Sequence, residues 1–247
     1  MPRKAREKSS TKIYHVMLRG INGQSIFEDD EDNEKFLQTL DYYKKACEFK
    51  LYGYCLMGNH VHILLKVGKD ELEQIFRRIG SSYVYWYNCK YNRSGHLFQD
   101  RFKSEVVEDD AYFVTVLRHI HQNPITACIC KFLDEYKWSS YNRYIDKQGI
   151  VDYDFALNII GDENFVKFMS EIRDDRCLEL EAKRKRLTDE ELIREIEKNF
   201  DIKAMMIQNE PRDKMEQILK SILEWEGVST RLLSRVTGVS TNIIWRL

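Results

Sequence analysis

The sequence predicts an α+β fold: a four-stranded antiparallel sheet with helices, followed by a helical C-terminal region ending in a helix-turn-helix. Three observations carry this. Over the first half of the 247 residues, strand-like and helix-like segments follow in the order β-α-β-β-α-β-α. After Pro124 the strand pattern stops and short helical segments take over. The closing stretch, residues 229–247, reads as a helix, a glycine break and a second helix.

The elements follow in order. Residues 13–21 (IYHVMLRGI) are rich in strand formers, and Gly20, Asn22 and Gly23 mark a turn. Residues 29–50 read as a helix with acids in the first turn, where they suit the helix dipole. Phe36, Leu37, Leu40, Tyr43 and Ala46 or Cys47 form its apolar stripe. Residues 51–57 and 60–67 are two strands, and Gly58-Asn59 between them has hairpin-turn chemistry. A second helix covers residues 70–92, with Leu72, Ile75, Phe76 and Ile79 at its core. Residues 96–107 read as a fourth, bent strand. A third helix over residues 109–123 is capped by Asp109 or Asp110 and stopped by Pro124. The first six elements match the split βαβ, or ferredoxin-like, arrangement, which leaves one sheet face open for the third helix.

Beyond this, residues 154–161 and 165–169 read as short helices, and the charged stretch 177–186 as a linker or exposed helix. Thr188-x-x-Glu191 is a capping box, and Pro211 opens a helix running to Trp225. In the closing unit Leu232, Leu233 and Val236 make an apolar face, Gly238 breaks the helix, and Ser240 or Thr241 caps the next. Such a pair can place its second helix in a major groove, or be a plain helical hairpin. Three segments result: a sheet domain over 1–145, a helical connector over 146–187 and a helical, DNA-binding-like domain over 188–247.

Lys+Arg and Asp+Glu number 39 and 40, so net charge points to no partner class. The first twelve residues, however, hold five basic residues and one acid, and basic patches matter for nucleic acid even when the total is neutral. The six cysteines show no C-x-x-C spacing, which favours reduced thiols. The charged N-terminal arm is unlike a signal peptide, and no apolar run reaches membrane-spanning length. A cytoplasmic protein is expected, with no membrane partner.

The chemistry centres on GNHVHILLK, residues 58–66. Residues i and i+2 of a strand share a face, so His60 and His62 stand side by side. Neutral imidazoles are common metal ligands, but two alone leave an ion under-coordinated and can equally be structural. On the third helix Tyr112, His119 and Asn123 share a line beside the core stripe. Asn123 can offer a carbonyl oxygen to a hard cation. Position 119 lies one turn before it, where a nucleophile would meet a metal-bound phosphodiester.

His60-Val61-His62 is similar to the histidine–hydrophobe–histidine (HUH) motif of the single-tyrosine, IS200-like transposases, and the chain most resembles the REP-associated tyrosine transposases. The motifs Tyr14–Gly20 (YHVMLRG), Gly95–Phe102 (GHLFQDRF), Ile120–Pro124 (IHQNP) and Trp138–Tyr141 (WSSY) extend the resemblance over residues 1 to about 145. It implies a ferredoxin-like fold, a divalent cation (Mg2+ or Mn2+) and a single-stranded or hairpin DNA partner. It also implies tyrosine attack on a DNA phosphate, with cleavage and strand transfer. The metal ligands map to His60, His62 and Asn123. The tyrosine position holds His119. Three readings follow: a transposase relative that binds DNA without cleaving it, as a domesticated protein or regulator; an enzyme using another nucleophile, His119 or the more remote Tyr112; or a hydrolase in which His60, His62 and His119 bind Zn2+. DNA contacts are expected from Arg3, Lys4 and Arg6 of the arm, from Arg101 and Lys103, and from Arg235 and Arg246. Each has an ordinary surface role as its alternative. His15, His96 and His121 could support the site from behind. A homodimer is compatible with the sequence.

Overall fold

The computed structural model describes residues 6–171, 173, 177–178, 188–225 and 228–245. Arg3, Lys4 and Arg246 lie outside the described residues, as does most of the charged stretch 177–186. The chain divides into two compact units, Met1–Leu178 and Glu179–Leu247.

The first unit runs β1 (Ile13–Arg19), α1 (Asp30–Cys47), β2 (Lys50–Met57), β3 (His60–Lys66), α2 (Leu72–Lys90), β4 (Lys103–Val107) and α3 (Asp110–Thr126). All strand pairs are antiparallel, in the order β2-β3-β1-β4. This is the α+β sheet the element order predicts.

Asp29 starts α1 through a capping box with Asp32, which satisfies amides that a helix start would leave orphaned. Asp32 is fully buried and pairs with Lys90 at 2.9 Å, tying the start of α1 to the end of α2. Phe36, Leu40, Ile75, Ile79 and Tyr83 are fully buried between these helices and the sheet. Tyr87 joins them, so the tyrosine-rich end of α2 is chiefly core; Tyr85 alone of those rings is strongly exposed, at 74%.

Register decides what the other face carries, because directly opposed residues share a face. Met57, His60 and Arg19 form one row across β2, β3 and β1. Cys55, His62, Met17 and Lys103 form the next, and Gly53, Leu64, His15 and Glu105 the third. α3 covers this face. A Cβ on Gly53 would lie 2.7 Å from Leu117 Cδ1, so the missing side chain is what lets α3 sit so close.

Two boundaries differ from expectation. β4 begins only at Lys103, because residues 97–99 bond instead to the exit of β1: Ile21 N–H donates to Leu97 O (2.9 Å) and Gln99 N–H to Arg19 O (2.8 Å). Pro124 does not stop α3, which runs on to Thr126. Proline removes only its own N–H bond, and the next turn still closes, with Ala127 N–H donating to Asn123 O at 2.9 Å.

The WSSY motif guards the edge of the sheet. Leu56 N–H donates to Trp138 O, Ser140 N–H to Tyr54 O, and Tyr54 N–H to Ser140 Oγ, each at 2.9 Å. These bonds satisfy part of the open edge of β2. Then α4 (Tyr141–Asp146), α5 (Asp154–Ile160) and α6 (Phe165–Ser170) follow. Ala156, Phe165 and Met169 are buried in the same core as α3, so α5 and α6 pack within the first unit.

The second unit holds α7 (Asp189–Phe200), α8 (Arg212–Leu223), α9 (Thr230–Thr237) and α10 (Thr241–Ile244) around Leu192, Ile196, Ile207, Leu219, Ile222 and Leu233. Thr188 and Glu191 form the expected capping box, and Gly238 ends α9 with φ 74°. Among the described residues no helix is long and apolar enough to cross a membrane.

Candidate metal and nucleic-acid site

β3 and α3 bring His60, His62 and Asn123 together. Asn123 Oδ1 lies 3.3 Å from His60 Nε2, and Asn123 Nδ2 lies 3.5 Å from His62 Nε2. The two rings stand at 82° with centroids 5.0 Å apart. Both histidines are buried, while Asn123 is half-buried and closes the site from the helix side.

Burial lowers the pKa of His60 to about 4; the Asn123 contact opposes this and the Arg19 charge adds to it. His62 is held well below the ordinary value by burial, then by His15, His60 and His119. Near neutral pH each ring is therefore uncharged and carries a single N–H.

That proton count tests whether the residues suit a cation. His60 Nδ1 lies 2.7 Å from Asn59 Oδ1, and Asn59 Nδ2 donates to Gly23 O at 3.4 Å, so the Asn59 oxygen faces the ring. His60 therefore spends its proton on Asn59, and its Nε2 meets Asn123 Oδ1 lone pair to lone pair. With a bare His62 Nε2, turning the Asn123 amide over would move the mismatch to His62. Ligands adjacent in an octahedral shell around Mg2+ stand about 3 Å apart, close to the separations here. The donor set fits a hard divalent cation.

Behind the site, His15 is fully buried, and its Nε2 lies 2.9 Å from His62 Nδ1. Its Nδ1 lies 3.8 Å from Glu105 Oε2. Burial works to raise the Glu105 pKa, but His15 and Tyr112 outweigh it and hold the carboxyl below its ordinary range.

Other expected residues stand as follows. His119 is half-buried, and its ring centroid is 5.7 Å from that of His62, at 78° between planes. This is edge-to-face packing, not a common ligand direction. Among the described residues no group of three or more His, Cys, Asp or Glu could hold a metal ion, so the three-imidazole zinc site is not formed. Burial, followed by the neighbouring Glu105 carboxylate, raises the Tyr112 pKa, which disfavours the phenolate. Lys103 is exposed two strands from His62 in the same row, about 10 Å away. Arg101 is exposed in the loop before β4. Arg6 is engaged within the fold: it donates to Phe102 O (2.9 Å), pairs with Glu73 and stacks 3.8 Å over the Phe102 ring. Arg235 pairs with Asp189 through both carboxylate oxygens. His121, on α3, has its Nε2 2.8 Å from Ser140 Oγ and packs among the rings of Tyr141, Tyr144 and Phe165.

Sequence reasoning missed Arg19 and Glu105. Arg19 sits opposite His60, and its buried Nε has no hydrogen-bond partner among the described residues. The alternation His15, Met17, Arg19 put three residues on one face, but which face of β3 they joined depends on register, and only the pairing reveals it.

Residues 8–123 match the family model described as Transposase IS200 like. A REP-associated tyrosine transposase of Haemophilus influenzae is 25% identical over 116 residues. That alignment covers 41% of this chain and spans 65% of the relative's length. A solved structure of a REP-associated tyrosine transposase bound to a REP hairpin superposes with a TM-score of 0.52 at 14% identity. It covers 62% of this chain and 96% of that one. The family match thus covers the sheet, α1, α2 and α3 as far as Asn123, and the superposition supports the fold.

Proposed function

We propose, from the match of residues 8–123 to the family model described as Transposase IS200 like, that this protein binds hairpin or single-stranded DNA over a divalent cation held by His60, His62 and Asn123. The observation that carries the reading is the convergence of these three side chains, with His60 Nε2 facing Asn123 Oδ1 acceptor to acceptor at 3.3 Å and His62 Nε2 3.5 Å from the Asn123 amide nitrogen. A hard divalent cation, Mg2+ or Mn2+, would supply polarisation of a phosphodiester there.

The chain's own residues do the rest. The rings and amide fix where a phosphate lies. Arg19, beside His60, offers a guanidinium to the same phosphate, and Lys103 and Arg101 extend positive charge along the strand. Tyr85 gives an exposed ring on which an unpaired base can stack. The second unit, with its glycine-linked α9 and α10, adds a further DNA contact in this reading.

His119 stands where the family's tyrosine is expected. Its imidazole packs against His62, so the reading is binding without covalent attack. The test incubates labelled REP-like hairpins and Mn2+ with wild type and His119→Tyr. We expect a mobility shift from both, no protein-linked DNA from wild type, and linked product from the variant. Linked product from wild type overturns the non-covalent reading; absence of any hairpin shift overturns the DNA reading.

A further inference from the structure

We propose that His15, backed by Glu105, is a positioning residue that holds His62 in the Nδ1–H tautomer and so turns its Nε2 lone pair toward Asn123. The inference rests on the cation reading above and extends it to residues that touch no ion.

The argument is one of proton placement. His62 Nδ1 and His15 Nε2 lie 2.9 Å apart, both rings almost wholly buried, so one proton sits between them. If His15 supplied it, the His15 Nδ1 lone pair would point at the Glu105 carboxylate, 3.8 Å away. If His62 supplies it, the His15 Nδ1–H points at that anion instead. Attraction replaces repulsion, so Glu105 decides the direction. Glu105 is itself fixed: Leu178 N–H donates to its Oε2 at 3.0 Å.

The far end agrees. With its proton on Nδ1, His62 presents a bare Nε2, and Asn123 Nδ2 lies 3.5 Å from it. A chain Glu105–His15–His62 thus runs across three strands of one sheet face, β4, β1 and β3, and ends at the site. Its middle link is set by register: His15 lies opposite Leu64 and is diagonal to His62, within reach of a ring-to-ring bond.

The test is spectroscopic. The protein has six histidines, few enough for imidazole 15N spectra of the metal-free, histidine-labelled chain to be assigned one by one. Wild-type His62 should show a protonated Nδ1 and a bare Nε2. His15→Leu should lose that single pattern and bind Mn2+ about 10- to 100-fold more weakly, the usual effect of removing a group that orients a metal-binding histidine. His15→Gln, which still offers an acceptor oxygen, should restore both readouts to within about threefold. Should the buried His15 variants not fold, Glu105→Ala changes a partly exposed side chain and should give mixed His62 tautomers. A wild-type His62 protonated on Nε2 overturns the inference. So does a His62 pattern unchanged in His15→Leu or, if that variant does not fold, in Glu105→Ala. If wild type binds no Mn2+ while the His62 pattern still depends on His15, the relay stands and the cation reading falls.

Discussion

His60 and Asn123 meet acceptor to acceptor, Nε2 against Oδ1 at 3.3 Å, while the only proton of the neutral ring is committed to Asn59. Two facing lone pairs are unfavourable without a positive charge between them. Asn123→Ala should therefore weaken Mn2+ binding by about tenfold or more, and Asn123→Asp, which adds a formal charge at the same reach, should retain or tighten it. Titration followed by Mn2+ electron paramagnetic resonance reads both. Equal affinities for wild type and the alanine variant would remove Asn123 from the site.

Arg19 lies beside His60 and was not among the residues expected to contact DNA. A guanidinium that neutralises one phosphate should contribute about one unit to the slope of log affinity against log salt, slightly less on single strands. Arg19→Gln should lower hairpin affinity at low salt and flatten that slope by about one. Fluorescence anisotropy across a salt series measures it; an unchanged slope would show that Arg19 meets no phosphate.

The contrast between these residues explains what the sequence could disclose. His60 and His62 were legible because they share one strand, where period-two alternation alone gives their relation. Asn123 was legible through the helical spacing of α3 and through the IHQNP motif. Arg19 and Glu105 were not, because their place depends on which residues of β1, β3 and β4 stand opposite one another. The sheet order followed from the element order. The late start of β4 did not, since residues 97–99 use strand-forming chemistry to bond to the exit of β1. Pro124 misled for a related reason: the rule that proline ends a helix concerns the residue before it, and the last turn of α3 tolerates the lost bond.

Gly20, directly after Arg19, is required by a close approach. A Cβ there would lie 2.2 Å from the backbone oxygen of Gln24 and 2.9 Å from Ile26 Cγ2, and a backbone oxygen cannot rotate away. Gly20→Ala should destabilise the protein by about 1–3 kcal/mol, as overpacked sites do. At Gly58, in the β2–β3 turn, a Cβ would have nothing within 4 Å of it, and Gly58→Ala should stay within about 0.5 kcal/mol of wild type. Urea unfolding of the two variants makes the comparison. Similar losses in both would mean that chain flexibility, not contact, selects glycine at these turns.

Acid should unfold the protein through its buried histidines, and His121 isolates the effect. Burial pushes its pKa down to about 3, against an ordinary value of 6.5 in the unfolded chain. Above pH 6.5 both states are neutral there, and the group makes stability independent of pH. Between 6.5 and about 3 the unfolded chain binds a proton that the folded chain refuses, so stability falls as pH falls. The slope is about 1.4 kcal/mol per pH unit, or about 2 kcal/mol from pH 6.5 to pH 5. His60, with a folded value of about 4, acts in the same direction. His121→Leu removes one of these terms but leaves the Ser140 hydroxyl without its imidazole partner, a loss of about 1–3 kcal/mol at pH 7. The variant should therefore be less stable than wild type at pH 7, and the difference should shrink or reverse at pH 5. Denaturation midpoints at the two pH values decide it. Parallel curves for the two proteins would mean that His121 takes up its proton in the folded state, and that its cage of Tyr141, Tyr144 and Phe165 admits the charge.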